Sequence, residues 1–187
     1  MSLDNHTYEH RRISGYALWL KPENEVYDVL QNIISRLAET YEAPFFEPHI
    51  TVAGSIPLSA KAIVEMMHQV RQQCEPMTLH LTETAIEDHY FRSLYVHIAP
   101  NEALLALRER CLTELRLEHT PYIPHVSLLY KTLDESEKRK IMEQVGSRFD
   151  LVFSPSSLYL MQTEGTPEQW KEVTRISLGD ENVSGLI

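Results

Sequence analysis

The sequence predicts an α+β fold in which two pseudo-symmetric lobes, each an antiparallel-leaning sheet flanked by helices, surround a central cleft. Strand and helix patterns are mixed along the 187 residues, and the long strands are joined through one helix at a time. No glycine-rich turn follows the first strand, which argues against a dinucleotide fingerprint or a phosphate-binding P-loop. The order of elements in the first half also returns in the second half, which indicates a duplicated unit.

The first half of the chain alternates strand and helix patterns. Ser14 to Lys21 is rich in strand-forming residues and stops at Pro22. Two stretches repeat apolar residues every three or four positions, and Ser59 stands where the second of these helices needs an N-cap. The predicted elements are a strand at 14–21, a helix at 25–41, a strand at 48–54, a helix at 59–73 and a strand at 77–88.

The second half shows the same succession. Asn101 is placed to cap its first helix, and Asp134 with Glu137 forms a capping pair for the next. The predicted buried stripe of the first of these helices is Leu104, Leu105, Leu107, Leu112 and Leu115. The predicted elements are a strand at 93–99, a helix at 101–116, a strand around His125, a helix at 134–146, a strand at 149–163 broken at Pro155, and a last strand at 170–178.

The repeat predicts the domain organisation. His49 and His125 are 76 residues apart, and a shift by that number places each helix and strand of the first half on a counterpart in the second. No linker separates the halves, so we expect lobes of one domain. The expected boundaries are a flexible N-terminus at 1–12, one bilobal domain at 13–178, repeat units at 14–88 and 93–164 with a closing strand at 170–178, and a tail at 179–187.

Composition limits the classes of function. Twenty-seven acidic residues against 17 basic ones give a net charge of -10, so long nucleic acid is an unlikely partner and a small phosphorylated ligand suits the chain better. No apolar run approaches the ~20 residues of a membrane span, and the start lacks the apolar core of a signal peptide. We expect a soluble, cytoplasmic monomer in which Cys74 and Cys111, both in helical patterns, are reduced thiols.

The chemistry is concentrated in two matching stretches, Pro48-His49-Ile50-Thr51-Val52 and Pro124-His125-Val126-Ser127-Leu128. Alternate residues of a strand share a face, so each strand would present one imidazole and one hydroxyl together. Two imidazoles in one cleft can divide acid and base work, because histidine titrates near pH ~6.5. Hydroxyl donors beside them suit the non-bridging oxygens of a phosphate, and the pattern supplies no metal-ligand set.

These stretches resemble the paired His-x-Thr/Ser motifs of the two-histidine phosphoesterase superfamily. Within it, Thr120-Pro-Tyr-Ile-Pro-His-Val-Ser-Leu-Leu-Tyr130 is most similar to the cyclic phosphodiesterases of plants and yeast. The likeness extends over nearly the whole chain and includes Trp19 and the segment Thr163 to Trp170. The resemblance implies a two-lobed fold with a water-filled cleft that needs no cofactor. It also implies hydrolysis of ADP-ribose 1″,2″-cyclic phosphate and of nucleoside 2′,3′-cyclic phosphates, the latter to 2′-phosphates.

The residues that carry this function follow from the motifs. His49 and His125 are the expected catalytic pair, with either one as base and the other as acid, and Thr51 and Ser127 are expected to bind the phosphate. The resemblance makes Tyr130 a substrate contact. Trp19, in a strand expected beside the first motif, is a candidate to stack a base, and Arg92 could pair a second phosphate or be solvated.

Three other functions fit parts of the pattern. A phosphodiesterase or ligase of RNA ends would use the same four motif residues, although the acidic balance argues against it. A non-catalytic nucleotide-binding module would keep the fold, although both motifs are intact. A metal hydrolase would need more ligands than one histidine per strand.

Overall fold

The computed structural model describes residues 14–179, so the predicted N-terminus at 1–12 and all but the first residue of the predicted tail lie outside the described residues. The elements are β1 (Tyr16–Leu20), α1 (Asn24–Tyr41), β2 (Ile50–Ile56), α2 (Ala60–Arg71), β3 (Leu79–Ile86), β4 (Leu94–Ile98), α3 (Glu102–Leu115), β5 (His125–Leu129), α4 (Glu135–Val145), β6 (Arg148–Phe153), β7 (Ser157–Gln162) and β8 (Lys171–Ser177). One-turn 3₁₀ helices occur at Tyr90–Arg92 and Pro167–Gln169.

The strands form two sheets, as the sequence predicts, and each sheet has four strands. The first sheet has the order β2-β1-β7-β8 and the second the order β5-β4-β3-β6. Every pairing in both sheets is antiparallel. Three strands of each order correspond under the internal repeat, since β2, β1 and β7 of one sheet stand where β5, β4 and β3 stand in the other. The predicted α+β class is therefore confirmed.

The structure shows that repeat units and lobes are not the same. The third strand of the first unit, β3, pairs in the second sheet, and its counterpart β7 pairs in the first. The predicted strand at 149–163 is therefore two strands, β6 and β7, that belong to different sheets. Pro155 lies in the link between them, where a residue without an N–H does not interrupt a ladder. Each lobe thus contains strands from both halves of the sequence.

The helices are shared between lobes in the same way. α2 contacts β7 and β8 and α3 contacts β2, so both lie on the first sheet, whereas α1 and α4 contact strands of the second. The predicted stripe of α3 needs one correction, because Leu105 is 41% exposed and the buried face contains Arg108 and Cys111 instead. Residues 104, 108, 111 and 115 follow the period of 3.6, and Leu105 lies about 100° away from residue 104.

Local signals in the sequence place the helix starts correctly. The side chains of Ser59 and Asn101 accept hydrogen bonds from backbone N–H groups three residues on, and Asp134 forms a reciprocal capping box with Glu137. Both cysteines are free thiols. Cys74 is not helical, however, because α2 ends at Arg71 and leaves it half-buried in the following loop.

Candidate active site

Each motif strand carries a β-bulge directly after its hydroxyl residue. Thr51 pairs with Trp19 of β1, but the next pair joins Leu18 to Ala53, so Val52 is an extra residue in the ladder. In the second sheet Ser127 pairs with Tyr95 and the next pair is Leu94 with Leu129, which makes Leu128 the extra residue. Bulges beside active sites redirect side chains. The two bulges lie at equivalent positions of the repeat, so the ladder of each motif strand is interrupted at the same point.

The two motifs line one cleft of about 230 Å³. Ile50 and Val52 point the other way and are fully buried, as the alternation in the sequence predicts. No acidic residue of the described chain lines this cleft, and Arg92 is the single Lys or Arg among the described residues that does. Its walls comprise Ala17, Trp19, His49, Thr51, Gly54, Ser55, His89, Phe91, Arg92, His125, Ser127, Tyr130, Thr163 and Trp170. The structure therefore brings all six predicted site residues together.

Each motif histidine is oriented by a backbone carbonyl two residues before it. His49 Nδ1 lies 2.6 Å from the carbonyl oxygen of Glu47, and His125 Nδ1 lies 2.6 Å from that of Ile123. A carbonyl oxygen only accepts, so both Nδ1 atoms carry hydrogen and donate. In each neutral ring Nε2 is then the atom with a lone pair, so Nε2 is the atom that can exchange a proton with a substrate.

The ring neighbours of the two histidines differ. Trp19 stacks on His49 with ring centroids 3.5 Å apart and an interplanar angle of 6°, whereas Tyr95, its counterpart in the repeat, meets His125 edge-on at 5.2 Å and 69°. Trp19 is only 3% exposed, so its indole has little surface left for a nucleotide base. Substrate stacking by Trp19 thus finds no support in this geometry. The indole face instead orients the His49 ring.

Burial controls the protonation of both imidazoles. It lowers the pKa of His49 to about 3, and the nearby charge of a protonated His125 lowers it further, while the hydrogen bond to the Glu47 carbonyl opposes the shift. Burial likewise lowers the pKa of His125 to about 4, with Arg92 adding to the shift. Both rings are therefore neutral at pH 7 in the unliganded site. A bound phosphate anion would raise both pKa values.

These shifts predict that acid destabilises the protein earlier than carboxylates alone would. A histidine that titrates near pH ~6.5 when unfolded and near 3 to 4 when folded binds more protons in the unfolded state. The free energy of unfolding should therefore be highest above pH ~6.5 and fall as the pH drops, by up to about 1.4 kcal/mol per pH unit for each histidine. Urea unfolding at pH 7, 6 and 5 measures the slope above the range in which carboxylates titrate.

The matched control for this prediction is a pair of asparagine variants. His49→Asn and His125→Asn should each flatten the dependence between pH 6.5 and 5, because each removes one of the two buried imidazoles. Equal slopes in the parent and in His49→Asn would contradict the prediction.

Tyr130 lies against the first motif although it follows the second. Its hydroxyl is 3.4 Å from His49 Nε2, and its ring stacks on Phe46 with centroids 3.7 Å apart. Burial raises the pKa of Tyr130, so the hydroxyl stays protonated and donates to the imidazole. The ring is 3% exposed. If Tyr130 contacts a substrate, it does so through its hydroxyl and not through the face of its ring.

Ser127 and Arg92 already have protein partners. Ser127 Oγ donates to the carbonyl of Phe91 at 2.8 Å. Arg92 donates from Nε and Nη2 to the two carboxylate oxygens of Glu87 at 2.5 and 2.7 Å. The prediction of a solvated Arg92 is therefore wrong. The pair with Glu87 leaves Nη1 of the guanidinium for a second acceptor.

The cleft also contains residues that are not among the six predicted site residues. His89 and Phe91 come from the β3–β4 connection and Trp170 from the β7–β8 connection. The ring centroids of Trp170 and Phe91 are 6.1 Å apart, so the two connections meet across the cleft. The internal repeat could have indicated these residues. The connection after β3 begins at residue 87, and a shift by 76 places it on residue 163, where the connection after β7 begins. Equivalent connections of a two-fold arrangement line the same cleft.

Between residues 14 and 179, no group of three or more His, Cys, Asp or Glu side chains is arranged to hold a metal ion. No helix of that same part of the chain is long and apolar enough to cross a membrane.

The family model described as cyclic phosphodiesterase-like protein matches residues 14–178, which include both motif strands. The chain belongs to the cyclic phosphodiesterase-like family. A cyclic phosphodiesterase of Arabidopsis thaliana is 27% identical over 171 residues, which cover 87% of this chain and 94% of the relative. A 2′,3′-cyclic-nucleotide 3′-phosphodiesterase of Yarrowia lipolytica is 25% identical, over 72% of this chain and 65% of the relative.

The fold is shared with solved structures. The crystal structure of E. coli LigT complexed with 3′-AMP superimposes with a TM-score of 0.63 at 14% identity and covers 90% of this chain and 100% of LigT. At that identity the likeness concerns the fold alone. Family membership and fold together confirm the resemblance to the two-histidine phosphoesterases.

Proposed function

We propose that this protein hydrolyses small cyclic phosphates, opening nucleoside 2′,3′-cyclic phosphates to 2′-phosphates and ADP-ribose 1″,2″-cyclic phosphate by the same chemistry. The observation that carries the proposal is the convergence of two imidazoles and two hydroxyls on one cleft without an acidic lining residue in the described chain. The absence of carboxylates suits an anion, and the imidazoles suit proton transfer. The names of the Arabidopsis and Yarrowia relatives support the same class of substrate.

The reaction needs one proton acceptor and one proton donor. One histidine accepts a proton at Nε2 from water as its oxygen bonds to phosphorus, and the other donates a proton from Nε2 to the ribose oxygen as its bond to phosphorus breaks. Thr51 donates to a non-bridging oxygen, where charge grows during displacement, and Ser127 does the same when its hydroxyl turns from the Phe91 carbonyl to the phosphate. The two histidines end with exchanged protonation states, and proton exchange with solvent restores them. Either assignment of His49 and His125 satisfies this scheme, provided that the Tyr130 hydroxyl leaves His49 Nε2 when the substrate binds.

The lowered pKa values fit this mechanism once the substrate is bound. In the free site both imidazoles are neutral at pH 7, which provides the base. The acid forms when the phosphodiester anion enters, because a negative charge next to an imidazole stabilises its protonated form. Binding of an anionic substrate or product should therefore be accompanied by proton uptake.

The position of Arg92 supports the ADP-ribose substrate. That molecule carries phosphates beyond the reacting cyclic phosphate, and Arg92 is the cleft-lining cation of the described chain. Since Glu87 occupies Nε and Nη2, Nη1 can donate to such a phosphate while the ion pair stays intact. A nucleoside 2′,3′-cyclic phosphate has no second phosphate to use this contact.

The chain works as one domain and as a monomer in this proposal. Exchange of β3 and β7 between the sheets means that neither half of the sequence contains a complete sheet, so residues 13–178 act as a unit. Both motifs of the cleft come from the same chain. A site completed within one chain does not require a second copy.

The test is product analysis by phosphorus NMR with excess chelator. ADP-ribose 1″,2″-cyclic phosphate and a nucleoside 2′,3′-cyclic phosphate are supplied separately, and each should be opened to one monoester in the presence of chelator. The ADP-ribose substrate should have the higher kcat/KM because of Arg92. Loss of turnover with chelator would replace the proposal by a metal hydrolase. Turnover confined to RNA oligonucleotides, weakened steeply by salt, would favour the RNA-end enzyme.

A further inference from the structure

The outer edge of β2 is held by side chains from another part of the chain. β2 is an edge strand of the first sheet, and its bulge at Val52 leaves carbonyls outside the ladder with β1. Tyr122 donates from its hydroxyl to the carbonyl of Thr51 at 3.1 Å. Arg108 of α3 donates from Nη1 to the carbonyl of Val52 at 2.6 Å. Two successive carbonyls of the first motif are therefore occupied by side chains.

Arg108 is an unusual residue for this position. It is 8% exposed, and within residues 14–179 no carboxylate lies within ion-pairing distance of it. Its guanidinium lies 4.1 Å from the centroid of Tyr122, and Nη2 donates to Thr120 Oγ1 at 3.4 Å, while Nε has no partner. Burying a cation is costly, and its contacts here are a π face and neutral oxygens. Because burial of this cation costs free energy, stability alone does not explain its position.

The second motif is held differently. The positions equivalent to Arg108 and Tyr122 under the repeat are Asn32 and Phe46. Phe46 stacks on Tyr130, which is an apolar contact, and neither Asn32 nor Phe46 can supply the cationic and phenolic donors. The carbonyl of Leu129, beyond the second bulge, accepts instead from Ser93 Oγ at 3.1 Å. Within residues 14–179, the polar brace formed by Tyr122 and Arg108 is therefore found at the strand of Thr51 and not at the strand of Ser127.

The brace also connects the two motifs. Tyr122 lies three residues before His125, in the segment that leads into β5 of the second sheet. Its bond to Thr51 therefore ties the entry of the second motif to the hydroxyl residue of the first. A movement of one motif against the other would break this bond.

We propose that Tyr122 and Arg108 are positioning residues that hold the Thr51 bulge at a set distance from His125, so that the Thr51 hydroxyl meets the bound phosphate. This inference rests on the proposed function. Misplacement of a reacting group by about 1 Å can lower turnover ~10²-fold, so a brace of this kind affects rate more than fold.

The principal test is Tyr122→Phe, which keeps the ring over Arg108 and removes only the hydroxyl. We expect kcat to fall ~10-fold with a smaller change in KM, and the affinity for inorganic phosphate to fall in parallel. The matched control is Tyr41→Phe, whose hydroxyl bonds to Gln144 away from the cleft and whose loss should leave both quantities unchanged. Parental kcat and phosphate affinity in Tyr122→Phe would overturn the inference.

A double-mutant cycle separates positioning from general destabilisation. In a Thr51→Val background the Tyr122→Phe change should have little further effect, because the hydroxyl that it positions is gone. Full additivity of the two changes would overturn the inference. Arg108→Lys keeps the positive charge but loses the planar guanidinium with its several N–H donors. Combined with Thr51→Val in the same kind of cycle, it should lower kcat as Tyr122→Phe does.

Calorimetric titration with inorganic phosphate does not depend on turnover. A parent that opens no cyclic phosphate but binds phosphate more tightly than Tyr122→Phe would refute the proposed function and retain the brace. A parent that opens cyclic phosphates with additive losses in the cycle would retain the function and refute the brace.

Discussion

Replacing either motif histidine should lower kcat by a factor of ~10²–10⁴, because each supplies one proton transfer in the transition state. His49→Ala and His125→Ala should both show this loss with ADP-ribose 1″,2″-cyclic phosphate. The kcat of the double variant should be only slightly lower than that of either single variant, because the two histidines act together in one step. The measurement is initial rate under saturating substrate with chelator present.

The control for the histidines is His80→Ala, on the surface of β3 and bonded to Asp150, which should retain parental kcat. Removal of His49 also exposes the indole of Trp19, so thermal unfolding of each variant should accompany the kinetics. A parental rate in His125→Ala would overturn the two-histidine mechanism. Multiplicative losses in the double variant would show that the two residues act in separate steps.

Removing either motif hydroxyl should lower kcat ~10²-fold, which is the lower end of the loss for one oxyanion donor. Thr51→Val changes an OH to a methyl of similar size, and no hydrogen bond of its hydroxyl is seen within residues 14–179, so the loss reports phosphate contact alone. Ser127→Ala additionally leaves the carbonyl of Phe91 without its donor. Ser127→Ala should therefore also destabilise the fold slightly, whereas Thr51→Val should not.

Thr78→Val is the matched control for the hydroxyl variants, because Thr78 is exposed and bonded to Ser154 outside the cleft. It should keep the parental kcat and phosphate affinity. Parental turnover in Thr51→Val would place the phosphate away from the first motif. The brace by Tyr122 would then have no hydroxyl to position.

The sequence alone predicted the elements and the proposed reacting groups. The starts of α2, α3 and α4 were predictable because each of their caps joins residues three positions apart, as at Asp134 and Glu137. The paired motifs were predictable because strand alternation places a histidine and the hydroxyl residue two positions on upon one face. The 76-residue repeat then indicated one cleft for both motifs. All of these inferences depend on spacing along the chain.

Only the tertiary structure decided which distant residues meet. The residue pattern of β3 predicts a strand but not the sheet in which it pairs. The same pattern would fit pairing in the sheet of β1 and β2, as well as the observed pairing with β4 and β6. The ion pair of Arg92 with Glu87, the stacking of Trp19 on His49 and the bond from Arg108 to Val52 were also not predicted from spacing, because each depends on how side chains pack. Side-chain partners across a cleft are set by how sheets and helices pack, and packing is a property of the whole chain.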